Sequence, residues 1–412
     1  MIKKPKGTYD IFGSDATIYN YIEDVIKNEM NINNVSYIKT PLFENTELFH
    51  RSVGEATDIV SKETYDFLDR SGRSMTLRPE ATASVVRSLI ENKLYANENN
   101  IIKYYYLGNM YRYERPQVGR NREFMQFGIE AFNSSSVLAD AEVIAMGFNV
   151  IKNLGIEPCV YINTLGDEET RKNYINALRE YFKDHLNELC PDCQIRYEKN
   201  ILRLLDCKID GDKELFKNMP KISDYLTNKA KDKFNELKKL LTLLEVDYVV
   251  DESIVRGLDY YTDIVYEYKS DDNLALGGGG RYDKLVENLE GPSMPATGLA
   301  LGIERLMLKI NKENVIPKEI DAFVLAISTE EKYNALKIVN DLRQAGYIAQ
   351  MCTNDASLKS QFKMADKLNA KYLVFLNDED LQKGVVTIKD NVIKTEEKVD
   401  ERQIVDYFYD NL

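Results

Sequence analysis

The sequence predicts an α+β protein: an antiparallel sheet flanked by helices, interrupted by a helical insertion and followed by a small α/β domain. Three observations carry this. From Phe124 to Ala131, the apolar Met125, Phe127, Ile129 and Ala131 alternate with Phe124, Gln126, Gly128 and Glu130, and a period of two means strand. From about Gly166 to Leu244, Lys/Glu/Asn-rich helical segments replace the strands. From residue 321 to 412, strand and helix patterns alternate, which indicates an α/β unit with a partly parallel sheet.

Each element follows from its own pattern. Ile18, Ile22, Val25, Ile26 and Met30 make an amphipathic helix stripe. Pro41 to Asn45 and then Gly54 to Val60 read as strand, turn and helix. The run Thr76 to Thr82 introduces a helix with Pro79 near its start, where a missing N–H costs nothing. Tyr104 to Glu114 is a strand with Arg112 and Glu114 at its end, and the Pro116 and Gly119 that follow mark a loop. A hairpin results. One face is apolar; the other carries a ring, an amide and a carboxylate, which suits a ligand-binding floor.

Helical segments such as Ala230 to Leu244 fill the insertion, and a linker is expected from Asn314 to Glu319 around Pro317. Beyond it, strands are expected at Ala322–Ile327, Tyr372–Leu376 and Gly384–Lys389. Helices are expected at Glu330–Ala345, ended by Gly346, and at Glu401–Asn411. Lys359, Lys363, Lys367 and Lys371 recur every four residues, so they share one helical face.

At 412 residues, two or three domains can each bury a core. No apolar stretch approaches the ~20 residues that span a bilayer, and Met1-Ile2-Lys3-Lys4-Pro5 lacks a signal-peptide core. Five cysteines in this length fit a reducing cytoplasm better than a disulfide framework. A net charge of −13 argues, by itself, against nucleic acid, yet Arg112 to Arg122 holds four arginines against one glutamate. Alone, such a cluster reads as a solvated loop; at the tip of a ligand-binding hairpin it reads as an anion site.

Several chemistries are excluded. The only histidines, His50 and His185, sit in no motif, which removes a histidine-dependent hydrolase triad. Gly277 to Gly280 is followed by Arg281-Tyr282-Asp283 rather than by Gly-Lys-Ser/Thr, so it is not a P-loop. These glycines instead let backbone approach a ligand closely. Cys190-Pro191-Asp192-Cys193, with His185 upstream and Cys207 downstream, is half of a zinc pattern. Structural zinc normally shows two tight ligand pairs, so the cysteines read as isolated core residues and no metal ligand is assigned.

Phosphate chemistry is the stronger reading, and activating a carboxylic acid with ATP, which the family resemblance below implies, is one form of it. The substrate carboxylate itself attacks the α-phosphorus, so the protein needs no nucleophile. It must hold two anions together and neutralise the charge that grows on the phosphoryl oxygens. Arginine, always cationic and able to grip phosphate with paired N–H groups, suits the task. Arg112, Arg256 and Arg305 are the three separated candidates.

Arg112-Tyr113-Glu114, the Arg-rich loop and Arg120-Asn121-Arg122-Glu123-Phe124-Met125-Gln126 resemble motif 2 of the class II aminoacyl-tRNA synthetases. Pro41–Asn45 with Gly54–Val60 resembles motif 1, and Gly298 to Arg305 resembles motif 3. Arg256-Gly257-Leu258-Asp259-Tyr260-Tyr261 is similar to the segment that sets histidyl-tRNA synthetases apart within the class. The resemblance runs from Lys6-Gly7-Thr8 to the C-terminus.

The resemblance implies a class II catalytic domain in two parts, residues 1–165 with motifs 1 and 2, and 246–316 with the histidine-specific motif and motif 3. It implies a helical insertion at 166–245 and an anticodon-binding α/β domain at 321–412, where the lysine face would meet RNA. Motif 1 implies a homodimer. The implied reaction joins histidine and ATP into histidyl-adenylate and pyrophosphate, then transfers histidine to the 3′-terminal ribose of tRNA(His); Mg²⁺ is expected with ATP. Arg112 would hold the α-phosphate, and Arg256 would face it as the catalytic cation. Arg120 and Arg305 would grip the β,γ end, with Glu114 near the adenine and Phe124 stacked on it. Glu80, Thr82 and Gln126 would hold the α-amino and carboxylate end of histidine. Glu130 and Tyr261, beside Tyr260, would each bind one imidazole nitrogen. Gln117, Arg120 and Arg122 would meet the tRNA acceptor end.

The alternative within the resemblance is the synthetase-like regulatory subunit of ATP phosphoribosyltransferase, which typically lacks the C-terminal domain. Retention of Arg112, Arg256, Arg305 and the final 92 residues (321–412) speaks against it. Departures from the family pattern are small: Asn133 where glycine is common, and Asn200-Ile201 in place of a frequent Asn-Pro.

Overall fold

A computed structural model of the chain describes residues 2–54, 57, 59–96, 101–207, 209–254, 258–312 and 319–412. The chain divides into two compact units, Met1–Val315 and Ile316–Leu412. The expected linker at 314–319 falls, apart from Glu319, outside the described residues.

Among the described residues, the first unit is built on an eight-stranded sheet. Its spatial order is Ser36–Tyr37, Ile102–Tyr111, Glu123–Phe132, Ala296–Gly302, Ala275–Arg281, Ile264–Lys269, Cys159–Thr164 and Tyr248–Val250. The pairings are antiparallel except the outermost at each side. The expected hairpin stays in register throughout, with Ile102 opposite Phe132 and Tyr111 opposite Glu123.

Period two sorts the faces. Phe127, Ile129, Ala131, Leu299 and Leu301 are buried against Ile18, Ile22 and Ile26 of the helix Ser14–Ile32 and Val143 and Ile144 of Val137–Asn153. Phe234, Leu237 and Leu241 of the helix Asn228–Leu243 join the same core. Tyr268 lies in this layer and donates its hydroxyl to the Ile144 carbonyl at 2.9 Å, so a large ring is buried without stranding its polar end.

A buried ion pair anchors the far side of the sheet. Arg281 Nη2 stands 2.6 Å from Asp140 Oδ2 with both side chains fully buried. The other guanidinium N–H groups reach the Ser134 and Ser136 carbonyls and Asp283. Such a pair, once made, is costly to break.

Local details differ from the sequence reading. The helix begins at Thr82, three residues beyond Pro79, because Glu80 caps it. The Glu80 carboxylate accepts the N–H groups of Thr82 at 2.7 Å and Ala83 at 2.9 Å, which also places an anion at the positive helix end. The first hairpin strand stops at Tyr111, so Arg112 and Glu114 lie just past it.

The second unit carries a five-stranded sheet among its described residues, ordered Ala349–Met351, Ala322–Leu325, Tyr372–Phe375, Val385–Asp390 and Glu396–Asp400. The first three strands are mutually parallel and the last two antiparallel. Helix Thr329–Gln344 opens with a reciprocal Ser328–Glu331 capping box, and Gly346 follows it at φ +96°. Three elements escaped the sequence reading: Ala349–Met351 and Asp378–Gln382, too short for periodicity, and Glu396–Asp400, nearly all charged. The lysine face is also shorter than expected. Lys359, Lys363 and Lys367 lie on Leu358–Lys367, but Lys371 is beyond the helix and faces Asp321 at 3.3 Å.

Candidate active site

The front of the first sheet is a floor of small residues. Glu130, Gly128 and Gln126 share that face of one strand, opposite Gly298, Ala300 and Gly302 on one side and Tyr104, Tyr106 and Gly108 on the other. Glycine permits close approach here. A Cβ on Gly298 would fall 2.0 Å from Glu130 Oε2, and one on Gly128 would fall 2.2 Å from the Tyr106 ring.

Glu130 is 1% exposed. Thr82 Oγ1 donates to its Oε1 at 2.7 Å, and the Tyr282 hydroxyl donates to Oε2 in a short bond. Burial lifts the Glu130 carboxyl to about 8, against the opposing pull of those two hydroxyls. Tyr260 and Tyr261 are buried beside it, their ring centroids 4.8 Å apart, with Tyr260 5.5 Å from Tyr282. Burial also pushes Tyr106, Tyr260 and Tyr282 well above the usual phenol range, so each remains a hydrogen-bond donor. Burial likewise raises Glu80, while the Ala83 and Thr82 bonds and Arg112 oppose it. Gln126 Oε1 is buried without a hydrogen-bond partner among the described residues. Glu80, Thr82, Glu130, Tyr260 and Tyr261 thus gather into one buried cluster, and Gln126 lies on the same strand face as Glu130.

Sequence reasoning missed Tyr106 and Tyr282. Tyr282 carried a signal, since it keeps the alternation of Gly278 and Gly280, whereas Tyr106 is hidden in a run of three tyrosines.

Toward the hairpin tip the site turns cationic. Arg112 Nε donates to the Pro79 carbonyl at 2.9 Å, and its guanidinium lies 5.2 Å from the Phe124 ring centroid. Arg305 Nη1 donates to the Ala275 carbonyl at 2.7 Å. Its neighbour Glu304 accepts the Met125 N–H at 2.7 Å and the Tyr9 hydroxyl, fixing the start of helix Ile303–Lys309 against the hairpin. Burial lowers the Arg305 pKa, and the charges of Arg120 and Arg112 add to that, against Glu267 and Glu114. Cations that repel one another in a partly buried site are relieved by an anion.

Arg120 Nη1 stands 3.9 Å from Glu114 Oε2. Gln117 is exposed at the tip, bridged through its backbone to Arg120. Arg122 is engaged within the hairpin: its guanidinium lies 3.9 Å from the Tyr113 ring centroid, and its Nε donates to the Glu114 carbonyl at 3.2 Å. Arg256 lies outside the described residues, as do Glu55, Ala56 and Asp58 of the motif 1-like segment.

Side chains of Arg171, Asn200 and Arg203 grip the segment that carries Tyr260 and Tyr261. Asn200 Nδ2 and Arg203 Nε both donate to Asp259 Oδ1 at 3.0 Å. Arg171 Nη2 donates to the Thr262 carbonyl at 2.7 Å and the Tyr261 carbonyl at 3.3 Å.

Comparison with known proteins bears on this geometry. A family model described as histidyl-tRNA synthetase matches residues 8–306, and one described as an anticodon binding domain matches 321–411. A curated histidine–tRNA ligase from Geobacillus sp. (strain WCH70) is 46% identical over 417 residues, covering 99% of each chain. One from Bacillus cytotoxicus is 44% identical, covering 97% of this chain and 96% of its own. The crystal structure of apo S. aureus histidyl-tRNA synthetase superposes with a TM-score of 0.84 at 35% identity, covering 99% of this chain and 100% of that one. A structure described as an ATP phosphoribosyltransferase regulatory subunit/histidyl-tRNA synthetase from Bacillus halodurans C shares the fold, with a TM-score of 0.67 at 22% identity over 91% of this chain and 98% of its own.

Proposed function

The chain belongs to the histidyl-tRNA synthetase family, and on that premise we propose how its residues divide the work. Its activity is that of a histidine–tRNA ligase. Histidine and ATP give histidyl-adenylate and pyrophosphate, and histidine then passes to the 3′-terminal ribose of tRNA(His). The regulatory-subunit alternative has less support, because the full-length curated relatives are ligases.

The observation that carries the site assignment is the buried Glu130 carboxyl group, oriented by the Thr82 and Tyr282 hydroxyls. In this reading Glu130 and Tyr261 each take one imidazole nitrogen, and Tyr260 walls the pocket. An apolar side chain there would leave buried polar groups unpaired, a mismatch that discriminates by about 10⁴ or more. Glu80 and Gln126 face the α-ammonium, for which the unpartnered Gln126 Oε1 is suited. Thr82, expected at the same end of histidine, already donates to Glu130, so its proposed role is to orient that carboxylate.

Arg112 would neutralise the α-phosphate, with Arg256 opposite it by family resemblance. Arg120 and Arg305 would hold the β,γ end, and Phe124 and Glu114 the adenine. Glu267, a carboxylate within electrostatic reach of Arg305, offers the kind of oxygen donor that Mg²⁺ takes alongside phosphates. The ion would screen the polyphosphate charge.

Gln117, Arg120 and Arg122 would meet the acceptor end of tRNA, and the second unit its anticodon, with Lys359, Lys363 and Lys367 supplying salt-dependent phosphate contacts. We divide the chain into a catalytic domain at 1–165 and 246–316, an insertion at 166–245 and an anticodon-binding domain at 321–412. A homodimer is supported by the exposed Tyr37, Leu42, Phe43, Phe67 and Leu68 near the motif 1-like segment, an apolar patch that suits burial in an interface. No described helix is long and apolar enough to cross a membrane. A cytoplasmic location is proposed from the cysteine usage.

The test is ATP–pyrophosphate exchange driven by each amino acid in turn. Exchange with histidine alone supports the pocket. Exchange with another amino acid overturns the Glu130 and Tyr261 assignment, and none from folded protein overturns the active-site reading.

A further inference from the structure

One cluster outside the active site has the composition of a metal-ligand sphere. The sulfurs of Cys190, Cys193 and Cys207 and a carboxylate oxygen of Asp210 all lie within 4.8 Å of one another, and all four residues are buried. Cys190 Sγ and Cys207 Sγ are 3.8 Å apart. Tetrahedral zinc with Zn–S bonds of about 2.3 Å places neighbouring sulfurs about 3.8 Å apart; a disulfide would hold them at about 2.05 Å. What reads in the sequence as half a site is a whole one. Cys190-x₂-Cys193 is answered by Cys207-x₂-Asp210, two ligand pairs of equal spacing. His185, the upstream candidate, instead meets Glu188 at 2.7 Å.

We propose that Cys190, Cys193, Cys207 and Asp210 bind one Zn²⁺ in a closed, structural site within the insertion. Leu189, Leu204 and Phe216 belong to the same buried cluster as the cysteines, and a wholly buried carboxylate in such a core needs a charged partner. Asp210 Oδ2 accepts the Cys190 N–H at 2.8 Å, and Oδ1 lies 2.7 Å from Lys213 Nζ. Each carboxylate oxygen has a second lone pair available to a metal. The Asp210 N–H points at Cys207 Sγ, 3.3 Å away, a donor that favours thiolate. The Lys213 ammonium offsets the excess negative charge that three thiolates and a carboxylate would leave around Zn²⁺. The sulfur-rich set selects zinc over magnesium or calcium.

The surroundings explain what such an ion would do. Lys183–Glu188, Ile201–Asp206 and Ile222–Tyr225 are short 3₁₀ pieces, and Glu214–Lys217 is one helical turn. Pieces this small bury little apolar surface, and scaffolds of this kind are commonly stapled by a metal. Between the two ligand pairs lie residues 194–206, which carry the Asn200 and Arg203 that hold Asp259. The ion would therefore brace the Tyr260–Tyr261 segment from behind. This last consequence rests on the histidine-pocket reading; the metal site does not.

Elemental analysis of the full chain, purified under reducing conditions without chelator, should find about one zinc per chain. After chelator removal of zinc, Co²⁺ should titrate to one equivalent and give a thiolate-to-cobalt charge-transfer band with tetrahedral d–d absorption. Cys193→Ser and Asp210→Asn should each weaken Co²⁺ binding at least ~10-fold, and Cys352→Ser, outside the cluster, should leave it unchanged. Wild-type chain that carries no zinc and gives no cobalt spectrum overturns the site, whether its thiols are free or a Cys190–Cys207 disulfide is found. That measurement does not depend on the folding of any variant. Histidine KM in the exchange reaction should rise on zinc removal and recover on re-addition. An unchanged KM after zinc has demonstrably been removed rules out the brace and leaves the site.

Discussion

Thr82 Oγ1 donates to Glu130 Oε1 at 2.7 Å across 48 residues of sequence. The bond ties the first turn of a helix to the floor of the pocket, and the same turn is capped by Glu80. One short segment therefore orients two carboxylates, which makes Glu130 the first residue to test.

Burial lifts the Glu130 carboxyl to about 8, so from the ordinary carboxylate range up to that pH the native chain holds a proton that the unfolded chain has released. Stability contributed by this group therefore falls as pH rises through the window. Glu130→Gln abolishes the titration. Its Tm minus that of the wild type should be larger near pH 8.5 than near pH 5.5, while histidine-dependent exchange drops at least ~10²-fold. A Tm difference that does not move with pH would show that Glu130 titrates normally.

Tyr282→Phe removes one of the two hydroxyl donors to Glu130 and little else. A hydrogen bond to a neutral carboxyl is worth about 0.5–1.5 kcal/mol, so histidine KM should rise ~2- to 10-fold with ATP KM nearly unchanged. Exchange rates at varied histidine measure this. A loss confined to ATP KM would place Tyr282 outside the histidine pocket.

Arg112→Ala should slow adenylate formation at least ~10²-fold, since one donor aimed at developing charge is worth roughly that much. Arg256→Ala should do the same by family resemblance. Single-turnover kinetics with folding checked by circular dichroism read the effect, and an unchanged rate would remove that arginine from the mechanism.

Asp140→Asn leaves the Arg281 guanidinium buried without its main counter-charge. Breaking such a pair costs about 3–5 kcal/mol. Urea unfolding should show a loss of that size, and a loss below about 1 kcal/mol would mean that the Ser134 and Ser136 carbonyls suffice.

The hairpin and its two faces were legible in the sequence because period two is local: Phe127 and Ile129 announce the core, Gln126 and Glu130 the front. What stayed hidden depends on contacts between distant segments. Nothing near Arg281 points to Asp140, 141 residues away, and Tyr282 reveals its role only once the strand Ala275–Arg281 takes its place in the sheet, one strand removed from Glu123–Phe132. The helix start was misplaced by three residues because Pro79 looked like a first-turn residue, whereas the capping is done by a side chain. Asp210 gave no sign of lying beside the cysteines because acidic residues abound around it and only folding brings one of them there.

A pocket whose base is bare backbone at Gly128 and Gly298 offers little at those positions to an engineer seeking a new amino-acid preference. At Gly298 any side chain would occupy the place of Glu130 Oε2, and at Gly128 that of the Tyr106 ring. At these two positions the base can only lose volume, never gain it. Enlarging or reshaping the cavity must come from its walls, through Tyr260, Tyr261 and Tyr282. Those rings already pack against one another, so a change of selectivity would take several coordinated substitutions rather than one.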